Sequence, residues 1–440
     1  LTATATAKAT GDNLVKFLAG DTSLYMSATS TDNQVFRTRS SRLGDFINAS
    51  PVYVAKPPFK YADAGYAQFV IAQAQRRKMV YAPSNDGMLH AFRVASSGTT
   101  EDEGETYTPE MNELWAFMPP AVLPELPALY PGRKLILLDG EPVARDVVAS
   151  PSTQFPSYPW KLERATILTR VGENGADPAA WRTILVQSFG GHSAAGSGYY
   201  AIDVTDPEYD AAGARGGPKF LWQLTVDSAN NPLFGNTTAA PLITTVFISP
   251  SPGADPKEVA VAVLPGGASN DDGGDGGNGA GCDTPTNTRV GQAAGYERRG
   301  KVRCYPVSPS AGQPSRSVTI VRLDSGEILT TFRNKPADVD PLSPSVTPRL
   351  VVSSARVKDT PLTSPITGQP AAFPAGVGAV SDRVYIGDAD GVVWRIDLSS
   401  TDPSRWVMEP FFDAYNAAVD PPTDASGAVM TLTGGMAEAA

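Results

Sequence analysis

One phrase recurs along this chain and limits what it can fold into. Lys78–Val94 reads KMVYAPSNDGMLHAFRV, and Arg383–Leu398 reads RVYIGDADGVVWRIDL. Each is an alternating apolar run, an Asp-Gly dipeptide, and a second alternating run with an aromatic and a charged residue. Alternation puts successive side chains on opposite faces of a strand. Asp86-Gly87 and Asp390-Gly391 predict tight hairpin turns, because such dipeptides accept the positive backbone angles those turns demand. Two looser copies stand between: Gly198–Pro207 (GYYAIDVTDP, leading to Leu221-Trp222) and Ser317–Phe332 (SVTIVRLDSGEILTTF). A hairpin repeated with a glycine turn and a trailing Trp or Phe predicts an all-β fold of radially repeated blades, a β-propeller with long loop insertions. A β-sandwich accounts for the strands but not for the repeated phrase.

Composition agrees. The 440 residues include 41 Gly and 39 Pro, and 19% are charged, which opposes long helices and favours short strands joined by turns. A net charge of −10 without a Lys/Arg cluster argues against nucleic acid and against an anionic membrane surface. No run approaches the roughly twenty apolar residues of a membrane helix. The start, LTATATAKATG, has neither an initiator Met nor a signal peptide, and the chain reads as a piece of a larger protein.

Along the chain, residues 1–40 form a lead-in segment. Its stretch Asn13–Leu18 sets Leu14, Val15, Phe17 and Leu18 on a predicted helical face. Residues 41–440 are expected to be propeller, with the last blade incomplete. Pro51–Val54, Trp181–Phe189, Tyr199–Val204, Val259–Leu264 and Arg349–Ser353 read as strands, and FVIAQAQRRK within 61–77 and just beyond as a helix. Glu101–Glu105 is an acidic insertion. Gly266–Gly281 (GGASNDDGGDGGNGAG) is loop, since so much Gly cannot hold order unaided.

No convincing active site emerges, and the chain is expected not to be an enzyme. Gly191–Ala195 (GHSAA) imitates a nucleophile elbow, but a strand rather than a helix follows Ser193, and Ala195 replaces the second glycine. The two histidines, His90 and His192, exclude a three-His zinc site. His90 lies inside a repeat strand, where packing or a hydrogen bond is the expected role. Asp271, Asp272, Asp275 and Asn278 offer calcium-type oxygen ligands on a flexible loop, without the EF-hand pattern. Cys282 and Cys304 flank a polar loop. A disulfide between them would stabilise by about 3 kcal/mol through loop entropy and points to an oxidising compartment.

Taken in order, Val15–Asp21 (VKFLAGD), Phe36–Val54 (FRTRSSRLGDFINASPVYV), Val80–Phe92 (VYAPSNDGMLHAF), Leu114–Pro119 (LWAFMP), Leu138–Pro142 (LDGEP), Gly190–Pro207 and Tyr385–Leu398 (YIGDADGVVWRIDL) resemble the C-terminal propeller of the PilY-type type IV pilus biogenesis and adhesion proteins. The resemblance implies a modified seven-bladed propeller with quinoprotein-like repeats. It also implies export through the periplasm and action at the outer-membrane surface or pilus tip. The implied role is in pilus extension against retraction, adhesion and motility, with minor pilins and a host or abiotic surface as partners. A quinone-dependent periplasmic dehydrogenase is the enzymatic alternative. Members of the family often carry an Asp/Asn-rich calcium loop before the Y-x-G-D strand. The matching stretch here, Ala371–Asp382 (AAFPAGVGAVSD), has one carboxylate, so calcium is not expected to bind tightly there. Asp382, Asp388 and Asp390 stand near that place, and Asp390 is explained by its turn. The insertions at 95–113 and 266–310 are where contacts with partners are expected.

Overall fold

The computed structural model describes residues 11–25, 36–62, 65–94, 112–129, 136–148, 181–191, 197–208, 217–226, 232–249, 253, 255–269, 314–333, 356–376 and 379–413, apart from positions 361, 363 and 390. Two short helices, α1 (Asp12–Leu18) and α2 (Tyr66–Ala72), accompany strands arranged in four sheets. The first holds β1 (Val52–Val54), β2 (Met79–Pro83), β3 (Leu89–Arg93) and β4 (Glu113–Phe117). The second holds β5 (Pro142–Val148), β6 (Trp181–Ser188), β7 (Tyr199–Asp203) and β8 (Lys219–Leu224). The third holds β9 (Leu242–Ile248), β10 (Lys257–Pro265), β11 (Ser317–Arg322), β12 (Ile328–Arg333) and β13 (Val357–Asp359), the last parallel to β12. The fourth holds β14 (Ala371–Phe373), β15 (Arg383–Gly387), β16 (Val392–Asp397) and β17 (Val407–Asp413). The other pairings are antiparallel between strands consecutive in the chain, and β1, β5, β9 and β14 stand next to one another in series.

Strand periodicity explains how the sheets stack. In β10, Ala260, Ala262 and Leu264 pack with Ile184, Val186 and Trp222 of the second sheet, while Val259, Val261 and Val263 pack with Val384, Ile386 and Trp394 of the fourth. The run VAVAVL thus alternates small against large because the two faces meet different neighbours. In the second sheet, Leu185, Tyr200 and Ile202 turn the other way, toward Met79, Tyr81 and Leu89 of the first. Three apolar layers therefore separate four sheets. Each fully buried Val or Leu in them contributes about 1.5–3 kcal/mol.

The sheets repeat one another in detail. The residue just after the third strand donates its N–H back to the start of the second: Val94 to Lys78, Val204 to Thr183, Leu323 to Ala260, Leu398 to Asp382 (2.7–3.0 Å). A β-bulge follows Ala91, Ala201 and Ile320 at equivalent positions, and in the fourth sheet the irregularity falls two residues earlier, after Val393. Opposite those three residues on the fourth strand stand Trp115, Trp222 and Thr330. Each donates to the next sheet, just beyond its third strand: Trp115 Nε1 to the Pro207 carbonyl (2.7 Å), Trp222 Nε1 to that of Leu323 (2.8 Å) and Thr330 Oγ1 to that of Pro403 (3.2 Å). The staple between neighbouring sheets is thus a fourth-strand residue, Trp115, Trp222 or Thr330. Of the trailing aromatics expected from the repeat only Trp222 is one, and Trp394 donates within its own sheet, to Asp388.

These matches correct the sequence reading of the repeat. Lys78–Val94 and Arg383–Leu398 are hairpins of the second and third strands, but Gly198–Pro207 leads from the third strand to the fourth, and Ser317–Phe332 spans those same two. Alternation looks the same in either hairpin, so register along the repeat was misread. The Asp-Gly turn is also longer than a two-residue loop. Ser84 N–H bonds the Met88 carbonyl and Gly87 N–H that of Ser84 (3.0 and 2.9 Å). The same ring closes between Asp388 and Val392, with Gly391 at φ 82°. On α1, Leu14 and Phe17 are buried, but Val15 is 65% exposed, because a 3.6-residue turn rotates it away from them. The strand at 349–353 and the acidic insertion lie outside the described residues.

Gly87 has φ 89°, and a Cβ there would lie 2.6 Å from Val122 Cγ1. Gly87→Ala is expected to cost about 1–2 kcal/mol, measured as a shift of the urea midpoint at unchanged slope. A midpoint equal to wild type would show that the turn relaxes freely.

Candidate functional site

The quoted motifs converge at one end of the first sheet. There the loop leading into β1 lies across the β2–β3 turn. Asn85 N–H bonds the Asp45 carbonyl (3.0 Å), and Gly44 N–H bonds Asp86 Oδ2 (3.0 Å). A Cβ on Gly44 would meet Ser84 Oγ at 2.4 Å, so this close approach requires glycine. Every sheet has such a lead-in loop, and a proline marks where it passes into the first strand: Pro51, Pro241 and Pro370 just before β1, β9 and β14, and Pro142 as the first residue of β5. Proline lacks an N–H, which suits the first position of a strand edge. Successive lead-ins are linked as well: Asn48 Nδ2 reaches Asp139 Oδ2 at 2.5 Å, and Asp139 Oδ1 accepts from Gly191 N–H at 2.9 Å.

Beside this junction is a cleft of about 340 Å³. It is lined by Phe17 and Leu18 of α1, by Arg37–Ser41, by Leu43–Asp45 and Ile47, by Asn85 and Asp86 of the turn, and by Ile136 ahead of the second sheet. Arg39 holds the wall together. Its guanidinium donates to the carbonyls of Phe17 and Arg42 and to the Tyr25 hydroxyl, and its charge lies 4.2 Å from the centre of the Phe17 ring. Phe17 in turn stacks on Phe36 at 4.4 Å. VKFLAGD, FRTRSSRLGD and SNDG therefore build one site.

Beneath the turn, His90 sits between two carboxylates, with Nδ1 2.5 Å from Glu113 and Nε2 3.1 Å from Asp86. Burial opposes the charged ring, but the hydrogen bonds and charges of Asp86 and Glu113 outweigh it and push the pKa up to about 9. Both ring nitrogens then donate, as an imidazolium must. Asp86 also accepts Met88 N–H at 3.1 Å, and Phe46 covers the ring edge-on at 5.9 Å. The hydrogen-bonding role expected of His90 is what the structure shows.

Other sequence-predicted sites fall elsewhere. Asp271, Asp272, Asp275, Asn278, Cys282 and Cys304 lie outside the described residues, as do His192, Ser193 and Asp390. The loop carrying the first six leaves the sheet after Ser269, between β10 and β11, at the same end as the cleft; the segment after Val94 leaves between β3 and β4, at the opposite end. In the 371–382 stretch, Ala371–Phe373 is strand β14 and Asp382 pairs with Arg383 at 3.3 Å. Asp388 accepts from Val392 N–H and Trp394 Nε1, both at 2.9 Å. Asp382 and Asp388 each face a protein donor in this way. Among the described residues, no group of three or more His, Cys, Asp or Glu stands together as a metal site.

No family model matches the chain. It is 31% identical over 229 residues to the type IV pilus biogenesis factor PilY1 of Pseudomonas aeruginosa strain PAK, a match covering 49% of this chain and 14% of that protein. It is 32% identical over 217 residues to a PilY1 homolog of Xylella fastidiosa, covering 47% and 13%. The crystal structure of the Pseudomonas aeruginosa PilY1 C-terminal domain aligns with a TM-score of 0.41 at 18% identity, covering 86% of this chain and 54% of that one. The matched half of the chain thus spans about a seventh of the length of these curated relatives. Over about half of its own length, the chain is similar to the PilY1-type type IV pilus biogenesis factors.

Proposed function

We propose that this chain is the scaffold part of a type IV pilus biogenesis factor. The carrying observation is the 31% identity to PilY1 through nearly half of the chain. Its four sheets are read as consecutive blades of a modified seven-bladed β-propeller. Innermost strands in series and a staple from each sheet to the next support that reading. The protein works without catalysis, outside the inner membrane, at the outer-membrane surface or pilus tip. There it favours pilus extension over retraction, contacts minor pilins and takes part in surface attachment. A rigid stack with loops at both ends is a suitable scaffold for such contacts. No resident cofactor is part of this proposal, and the 371–382 stretch is not assigned a calcium.

The test is an in-frame deletion of the coding segment, with sheared surface pili counted alone and in cells also lacking the retraction motor. Expected are few pili in the single deletion and recovery in the double. Unchanged pilus number in the single deletion overturns the reading. Immunoblots of sheared fractions from cells with and without the major pilin check the location, and equal recovery from both overturns the pilus-tip assignment.

A further inference from the structure

We propose that β13 is a displaceable strap and that the β12 edge beneath it accepts an extended segment of a partner protein. The segment it suits carries a basic side chain, an aliphatic one and a second basic one in succession. The inference does not depend on the pilus reading. Among the described residues the first, second and fourth sheets end at their fourth strands, β4, β8 and β17, and the third carries β13 beyond β12. That strand is three residues long and parallel, with Thr331 beside Val357, Phe332 beside Lys358 and Arg333 beside Asp359. The edge of a sheet offers its outward backbone groups to any extended chain, and β13 occupies this one in cis.

The strap itself names the occupant. Arg356 pairs with Glu327 at 2.9 Å and donates to the Ile328 carbonyl. Val357 is buried, and Lys358 Nζ donates to the Ser404 carbonyl in the 403–405 turn of the fourth sheet. Thr360 N–H closes the run on the Arg333 carbonyl at 3.0 Å. A cation, an aliphatic and a second cation thus meet a carboxylate, an apolar recess and a carbonyl. Glu327 keeps its place without the strap, because buried Arg322 lies 3.6 Å from its other oxygen. An acidic segment would set its own carboxylate against Glu327. The strap can lift without the sheet, since its holding contacts are three paired residues and an ion pair whose Arg356 side chain is 37% exposed. Just beyond it, Leu362 and Ile366 are buried in the layer between the third and fourth sheets and anchor the chain there. Lifting 356–360 leaves that anchor and the antiparallel ladder from β9 to β12 in place.

The test uses the full chain and two fluorescein-labelled peptides, RVKDT as in residues 356–360 and its acidic counterpart EVEDT, followed by anisotropy. Val357→Asp removes the aliphatic that seats the strap. Binding of RVKDT should then tighten roughly tenfold or more over wild type, because apparent affinity scales with the open fraction. Glu327→Gln in that background should weaken it roughly fivefold or more, since the peptide's guanidinium loses its carboxylate. EVEDT should bind none of the three proteins. Native-state hydrogen exchange examines the strap in wild type. Amides of 357–360 should exchange together, roughly a hundredfold or more faster than those paired in β10 and β11. Exchange of the strap at the rate of β10 and β11 overturns its displaceability. No saturation of the Val357→Asp variant, equal binding of both peptides, or indifference to Glu327→Gln overturns the acceptor site. Loss of the whole fold in Val357→Asp, seen in its far-ultraviolet melt, makes β13 an integral strand and also overturns the proposal.

Discussion

Trp222→Ala is expected to destabilise the protein by about 3–5 kcal/mol, the range for removing a large aromatic from a core. Trp222 is buried between the second and third sheets with Tyr199, Ala262 and Leu323 in the same apolar layer. Its N–H meets the Leu323 carbonyl at 2.8 Å, and its ring lies against Gly326, where a Cβ would come within 2.8 Å of Cγ. The substitution therefore opens a cavity and leaves a buried carbonyl without its donor at the same time. Trp222→Phe separates the two effects. It keeps most of the apolar volume and is expected to cost about 1–2 kcal/mol, the price of the unmade hydrogen bond with a small packing defect. Urea unfolding followed by far-ultraviolet circular dichroism measures both. If Trp222→Ala costs under about 1 kcal/mol, the staple is not what couples the two sheets. Thr330→Val, at the equivalent position one sheet further on, tests the weaker hydroxyl version. The series then changes character in the fourth sheet, where Glu409 occupies the staple position and pairs with Arg395 instead of donating onward.

Much of this arrangement was legible in the sequence, though not its register. Alternation announced β2, β3, β6, β7, β10, β15 and β16, because each has at least one face in an apolar layer. It could not number them within a sheet, since a strand hairpin looks alike whether it joins second to third or third to fourth. The signal that could have done so is the proline at the start of the first strand of each sheet, just before it at positions 51, 241 and 370 and as its first residue at 142. Strands β5 and β14 escaped notice because Arg145 and Asp146 break the apolar run of the first, and the second has three residues. The polar residues of β5 are there for a reason invisible to pattern: Asp146 receives the Tyr66 hydroxyl at 2.8 Å and that of Thr183 at 2.6 Å, and Arg145 reaches the Ile243 carbonyl at 3.0 Å. The cleft was hidden for a similar reason. Its walls come from positions near 17, 40, 86 and 136, and no local pattern says that such segments meet. The fixed wording of L-G-D and N-D-G nevertheless has a local cause, since Gly44 fits only against Ser84 and the Asp86 carboxylate accepts the Gly44 N–H.

Stability is expected to fall as pH rises from 6.5 toward 9, through His90. The ring pKa is about 9 in the folded protein against 6.5 for the unfolded chain. A group with a raised folded pKa contributes its full stabilisation below the unfolded value and loses it as pH climbs through the folded one. The shift corresponds to about 3 kcal/mol, and about 2 is a fairer expectation because Glu113 is partly open to solvent. Deprotonation would leave one ring nitrogen lone pair facing a carboxylate, either Asp86 under the β2–β3 turn or Glu113 on β4. The loss is then felt where the lead-in loop, the turn and the fourth strand meet. His90→Gln removes the titration while keeping an amide able to donate to one carboxylate, so its unfolding free energy should vary little over the same pH window while starting lower at pH 6. His192→Gln controls for the chain's second histidine and should retain the wild-type slope. An equal slope in wild type and His90→Gln would show that the imidazolium clamp is not the group that titrates.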